Sequence, residues 1–434
     1  MSLTARDLGL FAIMGAVLAM VAMFQSPQLA ITILNMSLIS AIMALGVNMQ
    51  WGYAGLFNVG IMGFTAVGGL AVVLIAMPPV PEAWAAGGLG ILLGLMLGVA
   101  TILAAVLVYK RMSPGALRGL AIFAVLVVGY FITSQVFGPA KQAVEAVNPA
   151  ATGYLGGANL PVILSWPVGA VFAAGVAWLV GKVSLGLRSD YLAIATLGIS
   201  EIVIAVLKHE RWLARGVNNV TGIDRPVPRP VDLQPQPWVQ SLADTMGWSL
   251  SQTASIVSGL GYSVLFLIVL GILIWLAERA LNSPWGRMMR AIRDNEVSAR
   301  AMGKDVTRRH LMIFVLGSAV CGLAGAMMVS MDGQLTPGSY EPLRFTFLIW
   351  VMVIVGGSGN NWGSVLGAFV IWFLWVQVEP AGRWVMETIT SNMDVGSDLR
   401  RHLLDSAAYM RLLTMGVALL LMLRFAPRGL IPER

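Results

Sequence analysis

A chain of 434 residues in which 57% are hydrophobic and 11% charged, with a mean hydropathy of +0.79, is not a soluble globule, whose charged share is about a quarter. The net charge of +7 does not point to nucleic acid, because Lys and Arg cluster beside apolar runs without interleaved exposed aromatics. A lone cysteine, Cys321, excludes an internal disulfide and a thiolate metal site. Strand-type alternation is absent while long apolar runs recur, so the expected fold is all-α, a polytopic membrane helical bundle of about 10–12 spans.

In chain order, a membrane helix needs about 20 mostly apolar residues. Spans are predicted near 8–24, 29–50, 62–77, 87–109, 119–137, 160–181, 190–208, 256–278, 309–331, 343–357, 363–378 and 406–424. The first is read as a retained span, since no small-residue cleavage pattern follows before Pro27. Two Gly-rich breaks interrupt the apolar pattern without the charge of a solvated loop. One runs from Gln50 through Gly52, Gly55 and Asn58 to Gly60, and the other from Gly356-Gly357-Ser358-Gly359 to Gly363. Irregular backbone at membrane depth survives where it is buried in protein or lines a wet cavity. A permeation path and a pair of tight interfacial turns are both compatible with these breaks. Asn48, Gly55, Asn58, Gly356 and Gly357 are the candidates they supply for a path.

Lys and Arg bias orients the chain. Lys110, Arg111 and Arg118 mark one short loop, Lys182 and Arg188 another, and the cluster from Arg279 to Arg309 a third. The tail carries Arg424, Arg428 and Arg434. With the spans above all four fall on one side, which places 283–310 and the C-terminus in the cytoplasm. The other side receives 138–159, 209–255, 332–342 and 379–405. The Pro-rich external loop 209–255 is too short to bury a core of its own, so a single transmembrane domain over 1–434 is expected.

Ionisable residues inside spans are functional by default, because a buried charge costs a few kcal/mol unless paired or wet. Glu201 is the chief example, with Asp190 at the start of the same span and Thr196 and Ser200 within it. A substrate contact and a structural partnership with a neighbouring helix are both open for Glu201.

The segment 283–310, SPWGRMMRAIRDNEVSARAMGKDVTRRH, gathers charge between two spans. Ser283 and Pro284 are a helix start and Gly303 a stop. Met288, Ile292, Ala299, Met302 and Val306 fall near three- and four-residue spacing, with Arg287, Arg290 and Arg293 on a basic flank. Such a helix either lies flat on anionic lipid or docks in a cleft of a cytoplasmic protein. Asp294, Glu296 and Asp305 weigh against the lipid alone.

No catalytic constellation appears. His209, His310 and His402 are scattered, and the run Gly175 to Gly181-Lys182-Val183 has the wrong spacing for a nucleotide loop. Neither a metal nor a cofactor is expected.

The run Ser189-Asp190-Tyr191-Leu192-Ala193-Ile194-Ala195-Thr196-Leu197-Gly198-Ile199-Ser200-Glu201-Ile202 resembles the SDYxAxxTLGxxEI signature of LivM-type permeases of branched-chain amino-acid ABC transporters. Ser283-Pro284-Trp285-Gly286-Arg287, Ala291-Ile292-Arg293-Asp294-Asn295-Glu296 and Ala299-Arg300-Ala301-Met302-Gly303 are similar to that family's SPxGR, AIRENE and AxxxG pattern. Gly356-Gly357-Ser358-Gly359 and Pro427-Arg428-Gly429-Leu430 follow in the same order. The chain departs from the family's GYAGQxSLGHxxF-like stretch over residues 52–64, with Asn58 for the serine and no histidine.

The resemblance implies a non-catalytic permease in the bacterial inner membrane that forms half of a path for hydrophobic amino acids. A LivH-like sister permease would form the other half, driven by two cytoplasmic ATP-binding subunits and fed by a periplasmic substrate-binding protein. It implies ATPase coupling through Arg287, Arg290, Ile292, Arg293, Glu296, Ala299, Met302 and Gly303, and a path near Asn48, Gly55, Asn58, Asp190, Thr196, Glu201, Gly356 and Gly357. A urea or short-amide permease shares that architecture. A proton-coupled carrier using Glu201 and Asp190 and a non-transporting scaffold are the alternatives from other classes.

Overall fold

The structure is a computed structural model and describes residues 4–149, 151–394 and 397–433. Among them, ten helices are long and apolar enough to cross a bilayer. They are α1 (Ala5–Phe24), α2 (Pro27–Ala54), α4 (Pro81–Arg111), α5 (Ala116–Ala146), α6 (Val162–Ser184, opening with a 3-10 turn), α7 (Ser189–His209), α8 (Leu250–Asn282), α11 (Val306–Asp332), α13 (Asn361–Ile389) and α14 (Asp398–Phe425, passing through a 3-10 turn). Two shorter apolar helices, α3 (Ile61–Ala76) and α12 (Pro342–Gly356), complete the set. Each of the predicted spans falls on one of these helices. Several helices outrun the apolar stretch that announced them, α5 and α13 most, because backbone hydrogen bonding continues into segments polar enough to face water.

The segment 283–303 is not one helix. It is two, α9 (Pro284–Asp294) and α10 (Glu296–Ala301), broken at Asn295, which has extended backbone. The cause is local: the Asn295 side chain accepts from the Ser298 N–H at 2.9 Å and caps α10. Ser283 occupies the N-cap position of α9, yet its hydroxyl donates back to the Ala280 carbonyl at 2.6 Å and caps nothing ahead of it. Gly303 has φ +77°, the left-handed turn that ends the segment.

The α2 helix lies at the centre, packed on α8, α11, α12 and α13, and α11 also packs on α3 and α6. Lipid offers no hydrophobic drive to bring helices together, so close contact rests on small residues. At the crossing of α3 and α11, a Cβ on Gly68 would lie 1.8 Å from the Gly322 carbonyl oxygen. Cys321 is buried beside it, donating weakly to the Met43 carbonyl. The α4–α5 hairpin stands apart, packing mainly on itself and joined to the bundle near one end through Ala83, Ile91, Val144, Leu155 and Trp212.

The loops separate into two ends. At one end β1 (Val220–Thr221) pairs antiparallel with β2 (Gln334–Leu335), Val220 opposite Leu335, and Pro79 bridges Gly156. The segment 210–249 carries a helix over Pro237–Met246 on the same end. At the other end lie α9, α10, the breaks after α2 and α12, and the C-terminal tail.

Candidate functional site

Helix α2 ends at Gly55, whose φ of +68° turns the chain, and α12 ends at Gly357, with φ +118°. The fold brings these breaks together. The Gly359 N–H donates to Asn48 Oδ1 at 2.8 Å. A Cβ on Gly52 would come within 2.5 Å of the Gly359 nitrogen, and one on Gly357 within 2.3 Å of the Ile431 carbonyl oxygen. Asn48 Nδ2 also donates to Asn361 Oδ1 at 3.3 Å, which accepts from the Tyr53 hydroxyl as well. Asn361 Nδ2 donates to Glu278 on α8 at 2.9 Å. One continuous polar network therefore joins α2, α8 and α13 in a buried setting, where polar groups must find protein partners.

The second half of the network holds the strand of chain between α2 and α3. Asn58 donates to Gln50 Oε1 at 2.8 Å and accepts from the Gly60 N–H at 2.8 Å. Gln50 in turn donates to the Phe314 carbonyl and Ser318 on α11. The Val59 N–H donates to Thr196 Oγ1 of α7 at 3.1 Å, and Trp350 Nε1 donates to the Asn58 carbonyl. Trp51, Phe57 and Trp350 form an aromatic trio directly at the break, with ring centroids 4.7–5.6 Å apart.

Arg293 of α9 fastens the surface segment to this core. It donates to the Gly52 carbonyl and to Glu433 of the tail at 2.8 Å, and pairs with Asp294 at 3.1 Å. Partial burial disfavours its charge, but Glu433 and Asp294 more than offset that and raise its pKa. The Gly55 Cα lies beside its side chain, since a Cβ there would meet Arg293 Cγ at 3.4 Å. The tail is itself laced to the second break: Leu430 N–H to the Val355 carbonyl, Ile431 N–H to the Gly356 carbonyl, and Asn360 Nδ2 to the Pro432 carbonyl.

The structure thus gathers Asn48, Gly55, Asn58, Thr196, Gly356, Gly357 and Arg293. Ile292 is buried against the same end of the bundle together with Met289, whereas Met288 is only half-buried. Arg290, half-buried, reaches the Leu281 carbonyl at 3.5 Å. Arg287, Glu296 and Gly303 are exposed and Ala299 is half-buried; Glu296 pairs with Arg300. Met302 and Val297 are each 79% exposed, an apolar pair on an otherwise charged surface. Asp190 and Glu201 stand apart from the network, exposed on the outer face of α7, whose buried face is Leu192, Ala193, Thr196, Ser200, Ile204 and Leu207.

Tyr53, Asn361, Glu278 and Glu433 were not singled out in the sequence, and Gln50 entered only as the start of a break. The Asn360-Asn361 pair after a Gly-rich run was the available signal, since Asn is costly at that depth unless bonded. Among the described residues no group of three metal-ligating side chains occurs.

Known proteins resemble the chain over most of its length. The family described as branched-chain amino acid transport system / permease component matches residues 29–155 and 146–423. A probable branched-chain amino acid transport permease protein LivM of Methanocaldococcus jannaschii is 27% identical over 275 residues, 63% of this chain and 67% of that protein. The high-affinity branched-chain amino acid transport system permease protein LivM of Escherichia coli is 29% identical over 214 residues, and the match covers 47% of this chain and 48% of that protein. A fructose import permease protein, FrcC of Rhizobium meliloti, is 26% identical over 114 residues, 25% of this chain and 31% of that protein. The chain thus matches about two thirds of the archaeal relative and about half of the E. coli one. No solved structure matches it. A helical bundle of membrane-length spans, matched over most of its length by one family, belongs to the permease components of branched-chain amino acid transport systems.

Proposed function

We propose that the chain is the transmembrane permease subunit of an ATP-driven ABC importer for branched-chain or other hydrophobic amino acids. It supplies half of the translocation path, a LivH-like sister permease supplies the other half, and a periplasmic binding protein delivers substrate to the β1–β2 end. Two ATP-binding subunits sit at the α9–α10 end, on the cytoplasmic side with the C-terminus. The Lys and Arg of the short loops support that orientation.

The observation that carries the reading is the Arg293 link. One guanidinium on a surface helix bonds the backbone of the α2 terminus and the tail that braces the α12 break. A displacement of α9 by a partner would be transmitted to both breaks at once, as alternating access driven from outside requires. Exposed Val297 and Met302 supply the apolar contact that a partner groove would cover. Glu201, exposed at the middle of α7, needs a cover too, because a charge facing lipid there costs about 3 kcal/mol. The sister permease packed on that face provides it.

Co-purification with the ATP-binding subunits tests the assignment. A variant carrying Val297→Glu and Met302→Glu alters two largely exposed side chains outside the bundle core. Wild type is expected to retain the ATPases and the variant to lose them; equal retention would sink the docking role of α10. Proton coupling is the alternative that Glu201 suggests. It requires uptake without ATP, abolished by Glu201→Gln, whereas the importer reading expects uptake to follow ATP in both proteins.

A further inference from the structure

Between the β1–β2 end and the aromatic trio, the bundle encloses a cavity of about 360 Å³, within the range of roughly 300–1,000 Å³ seen for small-molecule sites. Its walls come from α2, α3, α11, α12 and α13. The body is apolar. Met36, Met43, Met62, Met328 and Met352 line it with Ile39, Leu348 and Ile349, and methionine is the side chain that best adapts its packing to different aliphatic guests.

The charged groups are confined to its mouth. Asp332 ends α11, Arg344 opens α12, and Arg411 lies near the start of the last helical run. Trp375 sits between the two guanidinium groups, 5.1 Å from Arg344 and 5.5 Å from Arg411. Arg411 is paired with Glu379 and Arg344 loosely with Glu341 at 3.5 Å. The Asp332 carboxylate has no hydrogen bond or ion pair among the described residues; only its carbonyl is used, by Arg225. Three lining residues carry buried polar atoms without a partner: the Tyr340 hydroxyl, Trp372 Nε1 and Arg411 Nε. Orphaned polar atoms around one cavity are costly to keep unless something polar enters it.

We infer that this cavity is a binding site, inside the single subunit, for the zwitterion of an aliphatic amino acid. Arg344, with Arg411 beside it, takes the carboxylate, Asp332 takes the ammonium group, and the side chain points down the methionine-lined shaft. The substrate class rests on the permease reading; the site itself rests on the cavity. A sugar fits the same space poorly, because each hydroxyl would need a partner and the shaft offers only Ser40 and Thr65, the latter already bonded to the Ile61 carbonyl. The floor is meaningful as well. Met62, at its deep end, lies two residues in the chain from Gly60, so the shaft runs toward the break that Arg293 holds.

The test is equilibrium binding of radiolabelled L-leucine to the full chain in nanodiscs together with its sister permease, with quenching of Trp372 and Trp375 as a second readout. Leucine is expected to saturate, while leucinol, which lacks the carboxylate, and 4-methylpentanoate, which lacks the amine, bind at least about 10-fold more weakly. D-Ribose is expected not to compete. Arg344→Gln and Asp332→Asn should each weaken leucine about 10-fold with Arg344→Lys closer to wild type, and Met352→Trp, which fills the shaft, should abolish binding. Each variant is first shown to keep the wild-type elution profile. Leucine binding unchanged in Met352→Trp overturns the proposal, as does 4-methylpentanoate binding as tightly as leucine, which would mark a fatty-acid pocket. ATP-driven leucine uptake by the whole importer separates the two levels. Uptake that ignores Arg344→Gln and Met352→Trp removes the cavity and leaves the permease reading standing. Absence of leucine uptake by an assembly that hydrolyses ATP removes the substrate class itself.

Discussion

Helix α2 and the α4–α5 hairpin are equally membrane-like by hydropathy and opposite in surroundings. In their most apolar stretches only 11% of the residues of α4 and none of those of α5 are buried in protein, against 78% for α2. Within the bundle, burial tracks not greasiness but small and polar residues. Asn35, Ser37, Ser40, Asn48 and Gln50 all lie on α2, and Asn35 donates to the Gly259 carbonyl while accepting from Ser263. Leucine gains nothing by leaving lipid for protein, whereas an amide or a backbone groove gains a great deal. The hairpin, rich in leucine and valine, stands outside the bundle with most of its surface exposed; α2 is the axis on which the network is built.

That contrast can be broken most sharply at a glycine of the central packing. Gly68→Ala puts a Cβ 1.8 Å from a carbonyl oxygen of Gly322, backbone on both sides, so the α3–α11 crossing must open. The expected loss is about 3 kcal/mol or more, read as a collapse of the detergent-solubilised elution peak or a drop in Tm. An unshifted Tm would mean that the crossing is looser than its geometry. Next in size is Asn48→Ala, which strands the Gly359 N–H and one acceptor site of Asn361; about 2 kcal/mol is expected. Arg293→Gln follows. It gives up the pair with Glu433 and should cost about 1–2 kcal/mol in stability, with a larger fall in ATP-coupled uptake than in ATPase retention. Equal falls in both would reduce Arg293 to a surface contact.

The spans were legible because hydropathy is a local property, and even α3 and α12, too short for a confident crossing, stood out as apolar runs. The break at Asn295 was legible in principle, since an Asn three residues before Ser298 is a cap signal, but the amphipathic spacing on both sides read as one helix. Asn48, Gly55 and Asn58 announced themselves by being polar or Gly where neither is favoured. Their partners did not: Asn361 lies 313 residues from Asn48, and Glu433 lies 140 residues from Arg293. The tail docking of Leu430 and Ile431 on Val355 and Gly356 is backbone to backbone and leaves no trace in residue type. Glu201 drew notice for the right physical reason, a carboxylate within a span, but no periodicity argument told which way α7 would turn it.

The smallest effect is the most informative about the hairpin. Gly98→Ala, in the middle of α4, adds a Cβ whose sole neighbour is Thr133 Cγ2 at 3.9 Å, an ordinary contact. The same substitution that opens the α3–α11 crossing should here leave Tm unchanged or raise it by the equivalent of up to about 1 kcal/mol, because a mid-helix glycine gives up helix propensity without a packing reason. Gly98 is the loose point between closer approaches: Cβ atoms on Gly87, Gly90 and Gly94 would strike α5, and one on Gly129 of α5 would come within 2.2 Å of Thr101. If Gly98→Ala instead destabilises the assembled complex while sparing the isolated chain, the groove lined by Leu97, Thr101 and Val128 is covered by another subunit, and the hairpin's exposure ends on assembly. A null result in both settings leaves lipid as its only neighbour, which is what its composition asks for.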